Sequence, residues 1–122
     1  MSLKFGNSPA VVIELQPGIY LFPVDSAIGK SYMCKIFKEL ESIDRVASHT
    51  FPSAFNAQMV LDSDRRDVVL LDRYDLCDGD FTAEMQKFAE KGVLLIDYKS
   101  HNFPLKCRRC ELDMTEAELV VL

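Results

Sequence analysis

Hydrophobic positions along this chain follow two rhythms. Residues 10–15 (Ala-Val-Val-Ile-Glu-Leu) are rich in β-branched side chains, Gln16-Pro17-Gly18 is a turn signal, and residues 19–22 (Ile-Tyr-Leu-Phe) resume the apolar pattern. This predicts two short strands joined as a β-hairpin. From Ser31 the period lengthens: Met33, Ile36, Phe37, Leu40 and Ile43 recur at helical spacing, with Lys35, Lys38, Glu39 and Glu41 on the opposite face. Residues 45–50 are a candidate short strand, the alternative being that the segment 44–67 contributes only a helix. Phe51, Phe55 and Met59, four apart, predict a helix with Pro52 in its first turn, and residues 62–67 form a polar loop.

Residues 68–71 and 93–96 are uninterrupted apolar runs, and each ends in an aspartate, Asp72 and Asp97. Such runs mark strands buried on both faces, the pattern of a parallel sheet. Between them Asp78-Gly79-Asp80 starts a helix whose buried face is Phe81, Met85, Phe88 and Ala89, with Gly92 closing it. Residues 118–122 read as a last strand. Strands alternating with helices predict an α/β fold: a small, open, mostly parallel sheet with helices on both faces, all of residues 1–122 forming one domain.

Composition narrows the functional classes. The 122 residues are 48% hydrophobic and 27% charged, an ordinary globular mixture. A net charge of −5 argues against a dedicated nucleic-acid binder, which carries a basic surplus. No apolar run approaches the roughly 20 residues that span a bilayer, and the first residues lack a secretory apolar stretch. A cytoplasmic protein is expected, with Cys34, Cys77, Cys107 and Cys110 reduced and no membrane partner. Cys107-Arg108-Arg109-Cys110 is a single C-x-x-C with no second pair at matching spacing; zinc would have to recruit His101 and Cys77 and is not expected. Arg65-Arg66 and Arg108-Arg109 are candidate phosphate partners, with a solvated surface as the default reading; Cys34 reads as a small core residue, and His49 has no nucleophile nearby in sequence.

In a parallel sheet, ligands sit beyond the carboxyl ends of the strands. The candidates there are Asp72 with Arg73 and Asp75, Asp97, and the segment 23–31, which joins a strand to a helix and ends in Gly29-Lys30-Ser31. That ending is the closing half of G-x-x-x-x-G-K-[ST], in which backbone N–H groups cradle phosphates, the lysine neutralises them and the hydroxyl meets Mg²⁺.

On these residues the chain resembles the P-loop NTPases. Residues 24–31 are similar to a degenerate Walker A loop, residues 68–72 to a Walker B strand, and residues 16–21 to the hairpin that precedes the loop in several ATPase branches. The resemblance implies ATP or GTP with Mg²⁺. Lys30 would contact the β- and γ-phosphates, Ser31 the metal and Asp72 the metal through water. Asp25, Ser26, Gly29 and Tyr32 complete the candidate nucleotide contacts. Asp72-Arg73-Tyr74-Asp75 also resembles the end of the corresponding strand in some nucleoside and nucleotide kinases. This makes Asp75 the candidate to orient a hydroxyl or water; the plainer alternative is a cap on the next helix. Val24 and Ala27 stand where glycines are expected, and Arg73 where ATPases place a glutamate. The expected function is therefore nucleotide binding with weak or no hydrolysis. The alternative is a non-enzymatic protein-interaction or regulatory module on a degenerate scaffold, such as a mobile-element accessory protein.

Overall fold

Apolar runs without polar interruption need neighbours on both faces, and two such runs, residues 68–71 and 93–96, lie side by side. The computed structural model describes residues 2–5, 11–14, 16–22, 45–98, 103, 105–113 and 118–121. Its strands are β1 (Ser2–Phe5), β2 (Val11–Glu14), β3 (Gly18–Phe22), β4 (Val46–Thr50), β5 (Val68–Asp72), β6 (Val93–Asp97), β7 (Arg108–Asp113) and β8 (Glu118–Val121). Helices α1 (Ala57–Val60) and α2 (Thr82–Ala89) and a 3-10 turn at Tyr74–Leu76 connect some of them.

The strands form one sheet in the order β1-β2-β8-β7-β3-β6-β5-β4. Its five-stranded portion, β7-β3-β6-β5-β4, is parallel throughout. Antiparallel pairing appears only beyond it, between β7 and β8 and between β1 and β2. The sequence expectation of an open, mostly parallel α/β sheet therefore holds, and β5 and β6 pair with each other as the buried strands it called for. β1 and β7 carry no such apolar run and went unread in the sequence.

One face of the parallel portion carries Ile19, Leu21, Val69, Leu71, Leu94 and Ile96, packed with Met85 and Phe88 of α2. Tyr20, Val68, Leu70, Val93 and Leu95 alternate to the other face and are equally buried. The helix expected over residues 31–43, with Cys34, lies outside the described residues. Among the described residues no helix is long and apolar enough to cross a membrane.

Two sequence expectations need correction. The hairpin over residues 10–22 does not form: β2 pairs with β1 and β8, whereas β3 pairs with β6 and β7, with β8 and β7 lying between β2 and β3. A buried apolar strand gains most with a neighbour on each edge, and β3 finds these in β6 and β7. Gly18 opens β3 at φ 156°, a backbone angle that suits glycine, and donates its N–H to the Gly92 carbonyl at 3.0 Å. The chain thus enters the parallel sheet at Pro17-Gly18 and does not fold back on β2.

The helix expected from Phe51 also starts later. Phe51 donates its N–H to the Asp72 carbonyl at 3.0 Å, which keeps residue 51 beside β5, and Pro52 follows in a turn. Only at Asn56, whose side chain accepts the Met59 N–H at 3.2 Å, does the short α1 begin. The spacing of Phe51 and Phe55 serves an aromatic cluster: the two rings lie 5.1 Å apart, and Phe51 meets Tyr74 at 5.4 Å.

Candidate functional site

The carboxyl ends of β4, β5, β6 and β3 align in one row. Thr50 pairs in register with Asp72, and Phe22 with Asp97. Leu71 is paired with Ile96, so Asp72 and Asp97 stand one residue further along neighbouring strands, about 4.8 Å apart by the usual spacing. Because side chains alternate, Thr50, Asp72 and Asp97 leave their strands on the same face, opposite the one on which α2 packs.

Each side chain in the row is held by its neighbours. The Thr50 hydroxyl donates to Asp72 Oδ2 at 3.3 Å. Asp97 is 1% exposed, and its Oδ2 accepts the Arg73 N–H at 3.2 Å. A carboxylate taken out of water is costly unless donors meet it, and a backbone N–H is such a donor. Arg73 itself is in the left-handed region, φ 57° and ψ 45°, the only non-glycine residue there among those described. A side chain in that region costs roughly 1–2 kcal/mol.

Tyr74 follows at once and is buried, its ring against Phe51, Tyr98 and Phe103. Burial pushes its phenol up to about 12, helped by the neighbouring Cys77, Asp80 and Tyr98. It is a neutral phenol at physiological pH. Asp75 sits in the 3-10 turn, half-buried, with Oδ1 meeting no hydrogen-bond partner among the described residues. It does not cap the next helix, which corrects that alternative. Phe81 is the N-cap of that helix, and Asp80 before it accepts the Thr82 N–H at 3.0 Å; hydrogen bonds from the Thr82 side chain and then its backbone hold the Asp80 carboxyl below the usual range.

Beside the row, an open cleft of about 220 Å³ is lined by Phe51, Phe55 and Phe81 with Cys77 and Gly79. His49 meets two of these rings, edge-on to Phe51 at 4.7 Å and tilted against Phe55 at 4.8 Å, with Nε2 3.0 Å from the Ser53 carbonyl. At the other end of the chain, Cys107 is half-buried, and burial pushes its thiol up against the opposing pull of Arg109. That shift works against a reactive thiolate. Cys110 lies within β7.

Of the residues singled out in the sequence, Asp72 and Asp97 are brought together, with Asp75 three residues beyond Asp72. Asp25, Ser26, Gly29, Lys30, Ser31 and Tyr32, with Val24 and Ala27, lie outside the described residues. Thr50 was missed, because only the β4–β5 register reveals it as the partner of Asp72. Among the described residues no group of three or more metal-ligating side chains gathers, but Mg²⁺ takes only one or two protein carboxylates and keeps waters. The hard oxygens of Asp72 and Thr50 suit such a cation. Compared with known proteins, the chain matches no family model, no curated protein and no solved structure.

Proposed function

We propose that this chain binds a nucleoside triphosphate, ATP or GTP, with Mg²⁺ at the carboxyl end of its parallel sheet, on a P-loop-like scaffold with weak or no intrinsic hydrolysis. The observation that carries this reading is the strand order. The chain leaves β3 for the far edge at β4, steps back through β5 and β6, and passes β3 to reach β7 on its other side. The strand order thus reverses at β3 beside β6, and in open α/β sheets ligands are taken up beyond the carboxyl ends of the strands at such a reversal. Residues 23–31 follow β3, and Asp97 and Asp72 end the next two strands along.

In this reading Lys30 neutralises phosphate, and Ser31 and Asp72 face the cation, Asp72 through water. Asp25, Ser26, Gly29 and Tyr32 complete the nucleotide contacts. Bound Mg²⁺ supplies charge neutralisation of the phosphates. Asp75 is the candidate to orient a water, and Arg73 in place of a carboxylate is consistent with slow turnover at best. The test is calorimetry and thermal shift with Mg-ATP and Mg-GTP. Saturable binding is expected, lost in Lys30→Ala without a change in melting and weakened about tenfold or more in Asp72→Asn. No heat and no shift at millimolar nucleotide would refute it.

A protein-interaction module is the second reading. It is favoured by Met59 and Leu76, 58% and 37% exposed, and by the open aromatic cleft that Phe51, Phe55 and Phe81 line. A chain that ignores nucleotide would be left with this role.

A further inference from the structure

Asp97 and Arg73 form a device that the proposed nucleotide site does not by itself require. Arg73 adopts a left-handed backbone directly after Asp72, at a position any L side chain resists. Its N–H points at Asp97, and Asp97 is almost wholly buried at the end of the adjacent strand. On its other side Asp72 is held by β4, where its carbonyl accepts the Phe51 N–H at 3.0 Å and its Oδ2 accepts the Thr50 hydroxyl. Asp72 is therefore clamped between two strands, and the β6 half of the clamp is a hydrogen bond to the backbone of the very next residue.

We infer that Asp97 is a positioning residue: its buried carboxylate pins the left-handed turn at Arg73 and so fixes the direction in which Asp72 presents its carboxylate. This inference rests on the nucleotide–Mg²⁺ reading of the site. Without the pin, Arg73 relaxes toward the β or right-handed region, the turn after β5 rotates, and Asp72 loses its aim. Three substitutions separate this role from that of a metal ligand or a local charge. Asp97→Asn keeps an oxygen to accept the Arg73 N–H but removes the charge. Asp97→Ala removes both. Arg73→Gly makes the left-handed turn intrinsically acceptable, so the pin is no longer needed.

The readout is the ratio of nucleotide affinity with and without Mg²⁺, measured by calorimetry alongside the melting temperature of each variant. A merely structural role moves the melting temperature but not this ratio. Asp97→Ala is expected to lower the Mg²⁺-dependent gain about tenfold, in the range seen when a group orienting a metal ligand is lost. Asp97→Asn should keep most of that gain, and Arg73→Gly should restore it in the Asp97→Ala background. A loss in Asp97→Asn as large as in Asp97→Ala, or no rescue by Arg73→Gly, overturns the positioning role while leaving the nucleotide site in place. Should Asp97→Ala not fold, the folded Asp97→Asn decides alone: a tenfold loss there overturns the inference. Wild-type protein that binds no nucleotide overturns the site itself, and the positioning role with it.

Discussion

Tyr74 and Gly92 show how single positions carry the fold. The Tyr74 phenol has its folded-state value raised to about 12 by burial, against an ordinary value of 10.0. The unfolded chain therefore loses this proton first as pH rises. Tyr74 contributes stability that is intact below pH 10 and is lost as pH climbs from about 10 to 12. Urea unfolding from pH 8 to 11.5 should show wild type weakening across that window relative to Tyr74→Phe, which has no proton to lose; parallel curves would contradict this. At Gly92 the constraint is steric. A Cβ there would sit 2.5–3.1 Å from the ring of Phe88, which is fully buried. Gly92→Ala is expected to destabilise the protein by about 1–3 kcal/mol in denaturant melts. Trimming the ring in a Gly92→Ala, Phe88→Leu double variant should cost less than the sum of the two single changes.

At the scale of elements, α2 is an eight-residue helix, too short to persist alone, and it rests on two supports. Met85 and Phe88 bury one face against β3 and β6, and Asp80 satisfies the Thr82 N–H at the start. The Asp80 carboxyl is held below its ordinary value of 3.8, with the hydrogen bonds from Thr82 the largest cause. Its contribution is present above that value and fades as pH falls through the lower folded one. Asp80→Ala should therefore lower the melting temperature at neutral pH, and the difference from wild type should close in strong acid. A difference that is independent of pH would mean that the Asp80 charge is not its source. These features of α2 were legible beforehand: Asp78-Gly79-Asp80, the four-residue spacing of Phe81 and Met85, and the closing glycine are all local signals. The 51–59 segment misled for the same reason. Its aromatic spacing is helical, yet a single long-range hydrogen bond from Phe51 to Asp72 outweighs it.

For the molecule as a whole, β6 lies at the centre of the parallel portion with β3 and β5 beside it, each of the three with neighbours on both edges, whereas β1 and β4 end the sheet. Amide hydrogen exchange should accordingly be slowest in β6, β5 and β3 and fastest in β4 among the parallel strands. Uniform protection would contradict that ordering. The chain by itself determined which segments are buried strands, where α2 begins and ends, and that Asp72 and Asp97 close the two apolar runs. It could do so because burial periodicity, caps and turns are written within a few residues of one another. Only the tertiary structure decided that β2 and β3 part company, that residues 108–113 supply the second edge of β3, that Thr50 meets Asp72, and that Asp97 reaches the backbone of Arg73. Those outcomes depend on strand order and register. Both are set by pairing between segments some 20 or more residues apart in sequence, where no local pattern of side chains can specify the partner.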